Sequence, residues 1–302
     1  FFFKQKTAYE IYQCDWSSDV CSSDLEASIA RCISRIPCPE TRWLVALSAP
    51  SIDPAPDAAT GPSVDPAEVA RFAAMAAEWW DPNGKFRPLH KLNPVRMTYI
   101  RDRLFAHFGR DVRRPRPLAG LRILDIGCGG GLIAEPLTRL GAGVVAIDAS
   151  ATNIGVARAH AAESELVIDY RHGAAEELAA RGETFDAVLA LEIVEHVADL
   201  EAFLGAAAAL TRSGGGLVVA TLNRTPQSYL LAIVGAEYVL RWLPIGTHDW
   251  KKFVRPSELG GTLRHHRIDI RDVTGVAYSP LGDSWRLSRD LAVNYMAFAT
   301  RG

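Results

Sequence analysis

The chain has 302 residues, of which 48% are hydrophobic and 23% are charged, so it is long enough for one large globular domain or two small ones. Its formal net charge of −2 gives no overall attraction to nucleic acid, and we expect no nucleic-acid partner. The charge is nevertheless uneven. Residues 85–122 contain 11 Lys or Arg and 2 Asp or Glu, whereas residues 125–201 contain 14 Asp or Glu and 4 Arg. This distribution fits two oppositely charged surfaces of one domain, and the basic part could also face an anionic membrane surface.

The N-terminal part of the sequence is not typical of a folded domain. Residues 1–25 show no helix or strand period and resemble a translated sequencing adaptor, and residues 26–63 end in the stretch SAPSIDPAPDAATGPS. We therefore expect residues 1–63 to be disordered or artefactual and the folded domain to comprise residues 64–302. Of the 5 cysteines only Cys128 lies in that domain, which favours a reducing compartment.

A helical cap is predicted over residues 64–118. Asp65 followed by Pro and then Glu68 is typical of a helix start with a capping box, and the WWDPNG motif would end that helix. A second helix is predicted from about Pro94 to His107.

Strand and helix patterns then alternate along the chain. Five buried strands are predicted at LRILDIG (121–127), VVAID (144–148), VIDYRHG, FDAVLAL and GGGLVVATL (214–222). The fourth strand is expected to run directly into a helix through EIVEHV, and IDIRDVTGVAY and VNYMAFAT are expected to close the sheet. This order predicts an α/β, Rossmann-like fold with a mostly parallel, seven-stranded sheet covered by helices on both faces.

A glycine-rich loop joins the first strand to the following helix. Gly127 and Gly129 belong to the segment DIGCGGG, and Asp148 ends the next strand, where a carboxylate can accept hydrogen bonds from ribose hydroxyls. A dinucleotide site would need a third glycine where the chain has Leu132. The loop instead favours S-adenosylmethionine, because an acidic residue such as Asp125 is compatible with the positive charge of this cofactor.

The segment EIVEH at the end of the fourth strand brings three polar residues close together. Glu192, Glu195 and His196 could converge on a divalent cation, and Mg²⁺ prefers carboxylate oxygens. Alternatively, Glu195 and His196 cap or orient the next helix without a metal. The sequence leaves both interpretations open.

Beyond the glycine loop, the chain closely resembles the ubiquinone-biosynthesis O-methyltransferases, from about residue 65 to residue 296. The resemblance rests on the segments WWD, FRPLHKLNPVR, LDIGCGGG, LEIVEH, TLNRT, VGAEYVLRWLPIGTHDWKKF and VNYM. It implies methylation of both hydroxyls of polyprenylated phenol or quinol intermediates, with S-adenosylmethionine as the methyl donor. It also places Arg96, Gly127, Asp148 and Leu191 at cofactor-contacting positions, although the family often has Met where this chain has Leu191.

A phenol titrates near pH 10, so the expected reaction needs help with deprotonation. His196 and His248 are the candidate bases, and either could instead be an ordinary hydrogen-bonding residue. Three other interpretations stay open: a methyltransferase for a soluble phenol, a nicotinamide-dependent oxidoreductase, and a binding module with a degenerate cofactor site.

The apolar run YLLAIVGAEYVLRWLP (229–244) is the least ordinary part of the sequence. Glu237 and Arg241 are spaced as an i,i+4 pair on one helix face, and the run is too short for a transmembrane helix. A buried core helix would explain it. The alternative is that residues 225–252 form a lid that also contacts the membrane, so that a polyprenyl tail can reach the site.

Trp242, Lys251 and Lys252 suit such a membrane boundary. The second interpretation implies a cytoplasmic protein that is peripherally associated with the inner face of the cell membrane. Its partners would be inner-membrane lipids and other ubiquinone-biosynthesis enzymes.

Overall fold

The computed structural model describes residues 59–239, 246, 248–279 and 282–302. The predictions made for residues 1–58, Arg241 and Trp242 lie outside this part of the chain.

Helices make up one layer on each face of a central sheet. They are α1 Pro66–Ala73, α2 Arg87–Phe108, α3 Ala134–Arg139, α4 Ala151–Glu163, α5 Ala175–Ala180, α6 Leu200–Leu210, α7 Pro226–Ser228 and α8 Pro256–His265. Short 3₁₀ turns occur at Ala76–Glu78 and Trp250–Lys252, and α7 continues into a π-helix at Tyr229–Val239.

The described strands form one eight-stranded sheet in the order β3-β2-β1-β4-β5-β8-β6-β7. They are β1 Arg122–Ile126, β2 Gly143–Asp148, β3 Asp169–His172, β4 Phe185–Leu191, β5 Thr211–Leu222, β6 Ile268–Ser279, β7 Ser284–Ser288 and β8 Asn294–Arg301. The first five are parallel, and β8, β6 and β7 add antiparallel pairs. The predicted fold class is confirmed, but the strand number of seven was too low. Edge strand β7 was missed because SWRLS is short and mostly exposed, so it has no buried apolar pattern.

The sheet separates two hydrophobic clusters. Successive residues of β1 point to opposite faces, so Ile123 packs in one cluster and Leu124 in the other. Both side chains are fully buried. The central strands therefore read as continuous apolar runs, as expected for parallel strands covered on both faces.

The N-terminal cap differs from its prediction in two details. Asp65 accepts hydrogen bonds from the backbone N–H groups of Ala67 and Glu68, as predicted for an N-cap, but α1 is only 8 residues long and Glu68 makes no capping-box contact. The second helix starts at Arg87, where Pro at position 88 suits the first turn, and Pro94 lies in its interior rather than at its start. It ends at Gly109, whose backbone is left-handed.

The carboxyl ends of β1, β2 and β4 meet at one edge of the sheet. Ile126 is in register with Ile147 of β2 and Ala190 of β4. The loops that follow these strands therefore lie side by side, which is where doubly wound folds bind their ligands.

Candidate active site

The loop after β1 brings its backbone close to β2. The amides of Gly127 and Cys128 both donate to the carbonyl oxygen of Ile147, at 2.8 and 3.0 Å. Gly127 and Gly129 have φ values of 72° and 53°, which only glycine adopts readily. The sequence has glycines here because the chain must turn sharply and because a Cβ at Gly129 would lie 2.4 Å from Trp79.

Asp148 lies at the end of β2, against this loop. Its Oδ2 atom accepts from the amide of Gly129 at 2.9 Å, and its Oδ1 atom accepts from the amide of Ser150 at 2.9 Å and from Asn153 Nδ2 at 3.1 Å. Burial raises the pKa of Asp148, whereas these hydrogen bonds act to lower it. The carboxylate is thus fixed in direction, with lone pairs left for a ligand.

Two tryptophans of the N-terminal cap lie over the glycine loop. Trp79 stacks on Phe86 with ring centroids 3.8 Å apart, and its indole Nε1 donates to Asn153 Oδ1 at 2.9 Å. Trp80 Nε1 donates to the carbonyl oxygen of Gly130, also at 2.9 Å. The WWD segment was predicted to end a helix and not to contact the glycine loop, since indole N–H partners leave no sequence signal.

Arg96 and Asp125 are buried side chains that line the site together. Arg96 is 4% exposed, and its Nη2 donates to Asn93 Oδ1 at 3.2 Å. Burial raises the pKa of Asp125 to about 7, against the opposing effect of the Arg96 charge. Asp125 Oδ2 has no hydrogen-bond partner among the described residues, so a ligand with a donor group would satisfy it.

These features fit S-adenosylmethionine. The backbone cradle at Gly127 and Gly129, the fixed carboxylate of Asp148 and the unsatisfied oxygen of Asp125 suit a ligand that carries ribose hydroxyls and an ammonium group.

The segment after β4 is a turn, which corrects the prediction of a strand running directly into a helix. Glu192 has a left-handed backbone with φ of 52°, and the next helix begins only at Leu200, capped by Asp199. Glu195 is 3% exposed, and its Oε2 accepts from the hydroxyl of Thr221 at 2.8 Å.

The carboxylates of Glu192 and Glu195 lie close enough to influence each other. Burial, followed by the charge of Glu195, raises the pKa of Glu192 to about 7. His196 faces a different partner, because its Nδ1 lies 2.9 Å from Glu68 Oε2 on α1. Within the described residues, no group of three or more His, Cys, Asp or Glu side chains is arranged to hold a metal ion.

His248 is held by Glu237, which is 1% exposed and lies on the π-helix. Glu237 Oε1 is 3.0 Å from His248 Nδ1 and accepts from the His248 amide at 3.0 Å, and its Oε2 accepts from the amide of Gly246 at 2.7 Å. Burial, followed by the charge of His196, lowers the pKa of His248. Glu237 was predicted to form an i,i+4 pair with Arg241, which lies outside the described residues, and its carboxylate is buried in the contact with His248.

The N-terminal cap and the segment after the π-helix close the pocket together. Arg71 Nη1 donates to the carbonyl oxygen of Gly246 at 3.0 Å, and Lys252 Nζ donates to Asp65 Oδ2 at 3.0 Å. His196 and His248 face each other beneath this closure, with ring centroids 5.9 Å apart.

One pocket contains every side chain and glycine that the sequence predicted for the site. Its lining includes Arg96, Gly127, Gly129, Asp148, Leu191, Glu192, Glu195, His196 and His248. The structure adds Trp79, Asn153 and Glu68 to this lining, and these residues were not predicted. Leu191 is buried at the end of β4, as expected for an apolar residue there.

The π-helix exposes an apolar patch, formed by Tyr229, Leu230 and Leu231, which are 49%, 58% and 50% exposed. Ile233 on the same helix is buried against Leu222 and Phe253. In the part of the chain that is described, no helix combines the length and apolar character needed to cross a membrane.

A family model described as a methyltransferase domain matches residues 124–219. The ubiquinone biosynthesis O-methyltransferase of Parvibaculum lavamentivorans is 59% identical over 245 residues, covering 81% of this chain and 97% of that protein. The protein of the same name from Mesorhizobium japonicum is 58% identical over 240 residues, covering 80% of this chain and 96% of that protein.

Solved structures show the same fold. Magnesium protoporphyrin IX methyltransferase from Synechocystis PCC 6803, solved with bound S-adenosylhomocysteine, matches with a TM-score of 0.55 at 18% identity, covering 77% of this chain and 95% of that one. An S-adenosylmethionine-dependent methyltransferase from Clostridium acetobutylicum matches with a TM-score of 0.50 at 13% identity, covering 77% of this chain and 98% of that one.

Proposed function

The chain belongs to the ubiquinone biosynthesis O-methyltransferase family, and from this membership we propose that its pocket methylates polyprenylated phenols and quinols. It is an S-adenosylmethionine-dependent O-methyltransferase. The proposal covers both O-methylation steps of ubiquinone biosynthesis. The observation that carries it is that the glycine loop with Asp148 and the pair His196 and His248 line one pocket.

The chain's own residues bind the methyl donor and prepare the phenol. S-adenosylmethionine supplies a methyl group bonded to a positively charged sulfur. The glycine loop, Asp148 and Arg96 hold the donor, and a guanidinium fork such as that of Arg96 suits a carboxylate. With the donor bound, a pocket histidine would take the phenolic proton, and the methyl group would pass from the sulfur to the phenol oxygen and leave S-adenosylhomocysteine.

Mg²⁺ is proposed to bind at Glu192 and Glu195. Two buried carboxylates this close either share a proton or bind a cation, and carboxylate oxygens are the ligands that Mg²⁺ prefers. His196 was expected as a third ligand, but its Nδ1 is already taken up by Glu68. A thermal unfolding titration with Mg²⁺ tests the site without turnover. The midpoint should rise for the wild type and not for Glu195→Gln, and equal responses would exclude this pair as the ligand set.

Membrane contact is proposed through the exposed apolar patch of Tyr229, Leu230 and Leu231. A polyprenyl tail resides in the bilayer, so an apolar surface that enters the bilayer would bring the protein to its substrate. Lys251 is exposed and could face anionic headgroups, whereas Lys252 is paired with Asp65. We place the protein at the cytoplasmic, inner face of the cell membrane, beside other enzymes of the pathway.

Methyl transfer to a prenylated catechol in liposomes tests the proposed function. The same catechol without its prenyl chain is the matched substrate. We expect turnover with S-adenosylmethionine that strongly prefers the prenylated compound. Equal turnover of both compounds would favour a soluble phenol as substrate, and no methylation of either would refute the proposal.

Co-sedimentation with anionic vesicles tests the membrane contact. Leu230→Glu with Leu231→Glu should leave most of the protein in the supernatant. Val167→Glu is the matched control, because Val167 is 93% exposed and lies outside the patch. Unchanged sedimentation of the double variant would refute the contact.

A further inference from the structure

Two histidines at the pocket each have a carboxylate at Nδ1, and these carboxylates differ in their surroundings. Glu68 holds His196 and also forms an ion pair with Arg71, whose Nη2 lies 3.5 Å from His196 Nδ1. Glu237 holds His248 and, among the described residues, accepts otherwise only from backbone amides. Glu68 thus contacts a guanidinium as well as an imidazole, whereas the described contacts of Glu237 are the His248 ring and the backbone amides of Gly246 and His248.

This difference sets how each ring is held. The Nδ1 atom of His196 faces a guanidinium donor as well as a carboxylate acceptor, so no single tautomer is fixed there. At His248 burial and the charge of His196 lower the pKa, and the Glu237 carboxylate opposes this by stabilising the imidazolium. A carboxylate at Nδ1 also fixes the hydrogen on that nitrogen, which leaves Nε2 as the nitrogen that accepts a proton.

We propose that His248 is the base of the methyl transfer and that Glu237 is its positioning residue. This inference rests on the proposed function. Glu237 holds both the backbone amide and the ring of His248 and therefore sets the position of the ring as well as its tautomer.

The position of Glu237 in the chain adds a consequence. It lies on the π-helix Tyr229–Val239, whose first residues form the exposed apolar patch. The same helix therefore presents apolar side chains outward and delivers the carboxylate that orients His248. If a substrate tail or the bilayer fixes the position of this helix, it also fixes the position of His248.

Steady-state methyl transfer to the prenylated catechol tests the proposal with Glu237→Gln, Glu237→Asp and His248→Gln. Glutamine has the size of glutamate, but its NH₂ group facing Nδ1 would favour the wrong tautomer. We expect kcat to fall on the order of 10- to 100-fold in Glu237→Gln, which is less than the roughly 10²- to 10⁴-fold that a general base supplies in full, because His248 itself is retained. The KM for S-adenosylmethionine and the affinity for S-adenosylhomocysteine should stay unchanged, and Glu237→Asp should recover part of kcat.

Non-additivity separates positioning from a structural role. In the His248→Gln background, Glu237→Gln should cause no further loss of kcat, because the ring that it orients is gone. Glu258→Gln is the matched control, since it removes a carboxylate that pairs with Arg224 outside the pocket, and it should leave kcat unchanged.

Three results would overturn the proposal. They are an unchanged kcat in Glu237→Gln, a further loss in the double variant, and loss of S-adenosylhomocysteine binding in both Glu237 variants. A wild-type enzyme that methylates no prenylated catechol but still binds S-adenosylhomocysteine would refute the proposed substrate instead.

Discussion

The hydrogen bond from Trp79 to Asn153 connects the N-terminal cap to the cofactor pocket, and we predict that it stabilises the folded protein measurably. Asn153 is 2% exposed, and its amide nitrogen donates to Asp148 while its oxygen accepts from the indole. Trp79→Phe would leave that oxygen buried without this donor, at a cost of about 1–3 kcal/mol. The smaller ring also loses packing on Phe86, so the single variant should lose more than the hydrogen bond alone.

A double-mutant cycle in urea isolates the hydrogen bond. Unfolding free energies are measured for the wild type, Trp79→Phe, Asn153→Ala and the double variant. The loss caused by Trp79→Phe should be smaller by about 1–3 kcal/mol when Asn153 is already Ala, because the unpaired oxygen is then absent. Asn153→Ala should also weaken binding of S-adenosylhomocysteine, since it removes a donor that fixes Asp148.

Trp80 offers a matched control for this cycle. Its indole also donates one hydrogen bond at 2.9 Å, but to the carbonyl oxygen of Gly130. Trp80→Phe and Asn153→Ala should therefore be additive within about 0.5 kcal/mol. A coupling below about 0.5 kcal/mol between Trp79 and Asn153 would refute the reasoning.

Three further predictions concern the pocket. Asp148→Asn should weaken S-adenosylhomocysteine binding roughly 10- to 100-fold in calorimetry, because hydrogen bonds to a charged acceptor are worth about 1.5–3 kcal/mol. Gly129→Ala should lower the unfolding free energy by about 2–5 kcal/mol, since its φ is +53° and the added Cβ would lie 2.4 Å from Trp79 Cη2. Gly182→Ala is the control, because Gly182 has a φ of +71° but an added Cβ would meet no atom within 4 Å. It should lower the unfolding free energy only by the smaller cost of the left-handed backbone. Burial raises the pKa of Asp125 to about 7, so between about pH 4 and pH 7 the folded protein retains a proton that the unfolded chain has lost. The free energy of unfolding should therefore fall as the pH rises across this range. Asp125→Asn should flatten this fall in urea titrations from pH 4 to pH 8.

The parallel sheet was readable from the sequence because its strands are buried on both faces. β1, β2 and β4 are continuous apolar runs that end in glycine or acidic residues, so their order and their ligand-binding edge follow from general rules. Edge strand β7 and the turn after β4 were not readable. The turn depends on the left-handed backbone of Glu192, a conformation for which glutamate gives no local signal.

The partners of the site residues were less predictable than the residues themselves. His196 and His248 were expected near the pocket, whereas Glu68 was predicted in a capping box and Glu237 in an i,i+4 pair with Arg241. Both assignments came from i,i+3 and i,i+4 spacing within one helix. The actual contacts join residues 128 and 11 positions apart, which helix periodicity cannot reveal.

The contacts that close the pocket join parts of the chain that are made at very different times. Asp65 meets Lys252 and Arg71 meets Gly246, across 187 and 175 residues of sequence. On the ribosome, the first cap helix therefore emerges long before its partner segment exists. Contacts of such long range form late and slowly during folding. The newly made protein should thus become able to enclose a methyl donor only after the chain has been synthesised beyond Lys252.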